Sequence, residues 1–130
     1  MARRRRRDVS FTERELDVMA VLWELGGATV AEVQERLSDD LAYTTVLTVL
    51  RTLEEKGHVD HEEGAGRAYR YLPLVDRATA GESALGRLLG KVFGGSPELL
   101  LTHLVAQRDL TPEQVDRMKR LLDERLEEER

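Results

Sequence analysis

Leu41 to Gly57, LAYTTVLTVLRTLEEKG, runs directly into HVDHEEGAGRAYRYLPL at residues 58–74, and the reading of this stretch decides the fold. Val46, Val49, Leu50 and Leu53 recur at three- and four-residue spacing, which gathers side chains into one stripe of a helix. Thr44, Thr45, Thr48, Arg51 and Thr52 gather on the other side. Threonines are β-branched and compete for backbone hydrogen bonds, so helix propensity does not explain four of them here. A polar face of hydroxyls, methyls and one guanidinium suits the donor and acceptor edges of DNA bases. From His58 the period changes to two. Val59 alternates with polar neighbours, Gly64-Ala65-Gly66 reads as a turn, Tyr69 and Tyr71 alternate with Ala68, Arg70 and Leu72, and Pro73 closes the hairpin.

Working outward, three threonines each precede a Glu or Gln by three places: Thr12/Glu15, Thr29/Glu32 and Thr111/Gln114. This is the reciprocal capping arrangement that opens a helix. The first predicted helix spans about Glu13 to Leu25, with Leu16, Met19, Ala20 and Trp23 inward, and Gly26-Gly27 ends it. The second spans about Val30 to Leu37, with Val30, Val33 and Leu37 inward. A third begins near Ala42 and stops at Gly57. Three helices followed by a hairpin outline a winged helix-turn-helix domain at residues 8–73, its third helix being the candidate recognition element. Beyond it, residues Asp76 to Phe93, Glu98 to Arg108 and a last stretch from Pro112 to about Glu129 read as helices. Leu100, Leu101, Leu104, Val115, Met118, Leu122 and Leu126 form apolar faces too large for three short helices to cover. The expectation is a mainly α protein with a small β-hairpin wing, and a helical dimerisation domain at residues 74–130 through which a second copy covers these faces.

Composition bounds the function. The 130 residues have room for one modest core or two small ones and not for a large enzyme scaffold. There is no cysteine, hence no disulfide framework and no thiolate metal site. A cytoplasmic location fits, and no apolar run of signal-peptide or membrane-spanning length is present. Net charge is −5 and neither half is basic overall, so a DNA surface must be local, with acidic groups turned away from phosphate. The run Arg3 to Arg7, within a basic arm at residues 1–7, can lie along phosphate or simply stay solvated. Tyr43 at the start of the third helix can bond phosphate or pack beneath the helix, and Arg67 and Arg70 flank the wing's turn. His58 and His61 are three residues apart on a strand, which sends them to opposite faces, so no metal or other cofactor is expected. No nucleophile–base set, phosphate loop or paired-carboxylate arrangement stands out, so no catalysis is expected. The acidic balance also suits a rival class, a winged-helix adaptor that binds protein and not DNA.

The segments VMAVLWELGGATVAEV (18–33), AYTTVLTVLRTLEEKGHV (42–59) and GRAYRYLPL (66–74) resemble the penicillinase-repressor family of winged-helix transcriptional regulators. LLLTHLVAQRDLTPEQVDRMKRLLDE (99–124) resembles that family's dimerisation region more loosely. The resemblance implies a homodimer that binds a double-stranded, inverted-repeat operator and represses antibiotic-resistance or stress-response genes. It implies base or phosphate contacts from Thr45 and Thr48, and from Arg51. Where protease-sensitive members carry an Asn-Phe bond this chain has His103-Leu104, so a regulatory protease, if one acts, is unknown. The copper-responsive branch senses metal through C-terminal cysteines, which are missing here.

Overall fold

The computed structural model describes residues 9–64, 66 and 68–130. The Arg3–Arg7 arm and Arg67 lie outside the described residues. In chain order the elements are α1 (Glu13–Leu25), β1 (Ala28–Thr29), α2 (Val30–Arg36), α3 (Tyr43–Glu55), β2 (Val59–Glu63), β3 (Tyr69–Pro73), α4 (Arg77–Lys91), α5 (Pro97–Val105) and α6 (Pro112–Glu128). They fall into two compact units, the first running to Leu85 and the second from Gly86 to Arg130, with the division inside α4.

All three threonine caps form as the sequence predicts. In each, the hydroxyl accepts from the backbone N–H three residues on, while the Glu or Gln side chain accepts from the threonine's own N–H. These contacts satisfy donors that a helix start leaves without intrahelical partners. At the other end of α1, Gly26 takes the left-handed conformation (φ 74°) and its N–H donates to the Leu22 carbonyl. That geometry ends the helix at a residue with no Cβ to strain.

Among the described residues of the first unit, the core is formed by Val18, Met19, Val21, Leu22, Ala28, Val30, Val33, Val46, Leu50, Leu53, Val59 and Tyr71. The α3 stripe is the predicted one: Val46, Leu50 and Leu53 are fully buried, and Val49 is partly buried. In α1 the buried stripe is rotated by one residue from the predicted one. Glu15, Val18, Met19 and Leu22 point inward, whereas Leu16 is 38 % exposed and Ala20 faces solvent. The reason is Glu15, whose carboxylate caps Thr12 and accepts from Lys56 Nζ, so a charged residue occupies an inward position. Trp23 sits at the rim of the core, its indole N–H donating to the Val75 carbonyl at 2.8 Å and the Arg77 guanidinium lying 5.6 Å above its ring.

The sheet is antiparallel with order β1-β3-β2. The hairpin register runs from Val59 opposite Pro73 to Glu63 opposite Tyr69. The two-residue β1 is absent from the sequence reading. It adds Ala28 opposite Tyr71 and Thr29 opposite Arg70, tying the start of α2 to the wing. Too short to show a period of two, it exists because β3 offers a free edge.

In the second unit, Ser96 caps α5, Thr111 caps α6, and a proline occupies the first turn of each. Neither α5 nor α6 has a buried residue. Val115 (45 % exposed), Leu122 (53 %) and Leu126 (59 %) form an apolar line along α6 that the single chain leaves open.

Candidate nucleic-acid interface

The face of α3 opposite the core presents Thr44, Thr45, Thr48 and Arg51 to solvent, and Tyr43 at its first turn is half exposed. The Thr48 hydroxyl donates to the Thr44 carbonyl at 2.9 Å. That bond removes the helix-competing donor and leaves the Thr48 oxygen lone pairs and methyl facing outward, able to accept from a base amine or touch a thymine methyl. No side chain caps the start of α3, and its first turn holds no acidic residue, so a phosphate there meets backbone N–H dipoles without a competing carboxylate.

Between α3 and the sheet lies a groove of about 430 Å³ whose lining includes Tyr43, Leu47, Arg51, Glu54, His61, Tyr69 and Tyr71. Tyr71 is buried, while Tyr69 on the same strand face is half exposed. Burial raises the pKa of the Tyr71 hydroxyl, the Glu54 carboxylate raises it further, and the neighbouring Arg51 guanidinium opposes both. The tyrosine therefore stays a neutral hydroxyl beside Arg51. Sequence reading selects Tyr43 and Arg51 but not Tyr69 and His61, which share their groove. The available signal is the hairpin register, which puts His61 opposite Tyr71 on the face that carries Tyr69.

Arg70 does not reach freely outward. It lies opposite Glu62 in the hairpin, 3.8 Å from that carboxylate, and its guanidinium donates to the Gly27 carbonyl at 3.4 Å. Asp60, Glu62 and Glu63 leave β2 with an exposed acidic margin. His58 is buried immediately before β2 begins at Val59, and His61 is exposed within the strand. Among the described residues one group could hold a cation: Glu54, Asp60 and His61 bring ligand atoms within 4.8 Å of one another. His61 Nδ1 there is already 2.7 Å from Glu54 Oε2. No helix among the described residues is long and apolar enough to cross a membrane.

A family model described as penicillinase repressor matches residues 11–124, nearly the whole chain. Among solved structures, the DNA-binding domain of the repressor BlaI is 30 % identical to this chain, covering 55 % of it and 89 % of its own length, with a TM-score of 0.49. A mutant of Lactococcus lactis ZitR is 15 % identical over 99 % of this chain and 82 % of its own, with a TM-score of 0.47. No curated protein matches the chain. Because the family model spans both the winged helix and most of the helical unit that follows, the chain belongs to the penicillinase repressor family: it is a transcriptional repressor and not an enzyme.

Proposed function

We propose that the protein acts as a homodimer that occupies an inverted-repeat operator in double-stranded DNA and blocks transcription of antibiotic-resistance or stress-response genes. In this reading residues 8–73 bind DNA and residues 74–130 dimerise. The observation that carries it is the division of α3 into a fully buried apolar stripe and an exposed face of Thr44, Thr45, Thr48 and Arg51. The helix α3 enters the major groove, where the threonines and Arg51 meet base edges. Tyr43 holds a phosphate at the helix start, while Arg67 and Arg70 bring the wing to the neighbouring backbone. So few side chains per copy give weak binding. Two copies on half-sites about 34–36 Å apart supply the missing affinity and specificity. The open apolar line Val115, Leu122 and Leu126, with Leu100, Leu101, Leu104 and Met118, is the surface through which the copies pair.

Thr45→Ala combined with Thr48→Ala tests the assignment on a duplex selected from random sequence by the wild-type protein. Operator affinity should fall at least tenfold, since each base contact contributes roughly 1–3 kcal/mol, with the melting temperature little changed. Unchanged affinity in a gel-shift titration removes α3 from the interface.

A further inference from the structure

Outside the face that meets base edges, α3 is joined to the wing by a side-chain contact. His61 Nδ1 lies 2.7 Å from Glu54 Oε2, and because a carboxylate can only accept, Nδ1 carries the proton and donates. The imidazole is held from the other side by Tyr69, 4.6 Å between ring centres, and by Tyr71 at 5.7 Å. The His61 backbone N–H donates to Asp60 Oδ1 at 2.8 Å, which fixes the strand just before the ring. Tyr71 is itself buried in the core, so the histidine bridges a fixed strand and a fixed helix.

We propose that His61 and Glu54 form a clamp that sets the angle of the wing against α3, making His61 a positioning residue for DNA binding. The inference rests on the reading that α3 and the wing contact the same duplex. The hairpin is anchored at Val59, buried in the core, and its turn closes through the Gly64 N–H on the Ala68 carbonyl. At roughly 3.3 Å per residue, His61 stands about 7 Å from that anchor and Gly64 about 17 Å, so a slip of about 1 Å at the clamp becomes more than about 2 Å at the turn. A displacement of that size breaks a hydrogen bond to a phosphate. Both partners are partly exposed, with side-chain accessibilities of 37 % and 29 %, so the pair adds little to global stability. Its effect is on where the wing tip sits.

The test is a double-mutant cycle on the full-length protein, with His61→Ala measured in the Glu54 background and in a Glu54→Gln background, where the carboxylate's own repulsion of phosphate is constant. On a duplex selected by the wild type, His61→Ala should lower affinity about two- to fivefold per half-site with Glu54 present, the factor typical of an exposed pair, and have no effect with Gln at 54. The melting temperature should move by less than about two degrees, and His61→Gln, which keeps an N–H donor, should recover part of the affinity. Without DNA, amide exchange at Gly64 and Gly66 should quicken in His61→Ala relative to Leu50 and Leu53. Equal losses in both backgrounds, or unchanged exchange at the turn, overturn the clamp. If the wild type binds no duplex, the DNA reading fails while the exchange measurement still decides whether the clamp holds the wing.

Discussion

Lys56, the residue that ends α3, places its Nζ 2.9 and 3.0 Å from the two carboxylate oxygens of Glu15 in the first turn of α1, forty-one residues earlier. The same carboxylate accepts from the Thr12 backbone N–H, so one buried side chain closes the start of α1 and holds the end of α3. Burial works to raise the Glu15 pKa. The Lys56 hydrogen bond, the Thr12 N–H and the positive charges of Lys56 and His58 outweigh it, leaving the group below its usual range.

Because the folded protein holds Glu15 ionised more readily than the unfolded chain does, the stability from this contact is complete at neutral pH and is lost as pH falls through the carboxylate range, between about 5 and 3. Glu15→Gln removes that dependence and returns the exposed Lys56 ammonium to water, while the amide oxygen can still accept from Thr12, so the variant should be less stable at pH 7 by about 1 kcal/mol. The gap to wild type should narrow in acid. Urea titrations at pH 7 and pH 4 check this; an equal gap at both values refutes the coupling.

Gly27 adopts φ 133°, and a Cβ there would lie 2.6 Å from Leu72 Cδ2 and 2.7 Å from Arg70 Nη1. The conformation favours glycine, whereas the contact meets only the ends of the Leu72 and Arg70 side chains, which can move aside. Gly27→Ala should destabilise the first unit by about 1–3 kcal/mol and loosen β1 from β3. Calorimetry on the full chain would show it as a lowered melting temperature, and a variant melting with wild type would contradict the backbone strain at this position.

Arg70 is engaged by Glu62 and the Gly27 carbonyl, so Arg70→Ala should cost stability as well as DNA affinity. Arg67→Ala should weaken binding to all duplexes alike and reduce the salt slope by about one. A salt slope identical to wild type would keep Arg67 off the DNA.

Leu122→Glu with Leu126→Glu places two carboxylates on the open apolar line of α6. If a second copy covers that line, sedimentation at about 10 µM should show single chains in place of dimers, and operator binding should be lost with helix content intact. Dimers persisting in this variant would place the contact elsewhere.

Much of the architecture is legible in the sequence. The three threonine caps, the division of α3 and the change of period at His58 are local patterns whose geometry is fixed within a few residues, so they survive translation into structure. The α1 stripe departs from its predicted position for an equally specific reason. The Thr12 cap turns Glu15 toward the helix start, but the inward charge is also met by Lys56, and no local pattern shows a pair separated by most of the domain. Tyr43 and Arg51 are visible as exposed helix residues, but their sharing a groove with Tyr69 and His61 is not.

The order of helices and hairpin, the two unlike faces of α3 and the caps were determined by the sequence alone, because hydrogen-bond rings and side-chain periods act over three to five residues. The tertiary structure decided the rest: the third strand, the tethering of Arg70, the Glu15–Lys56 tie and the Glu54–His61 contact. Each depends on where packing of the core brings distant backbone together, and burial of Val46, Leu50, Leu53 and Val59 is what sets that geometry.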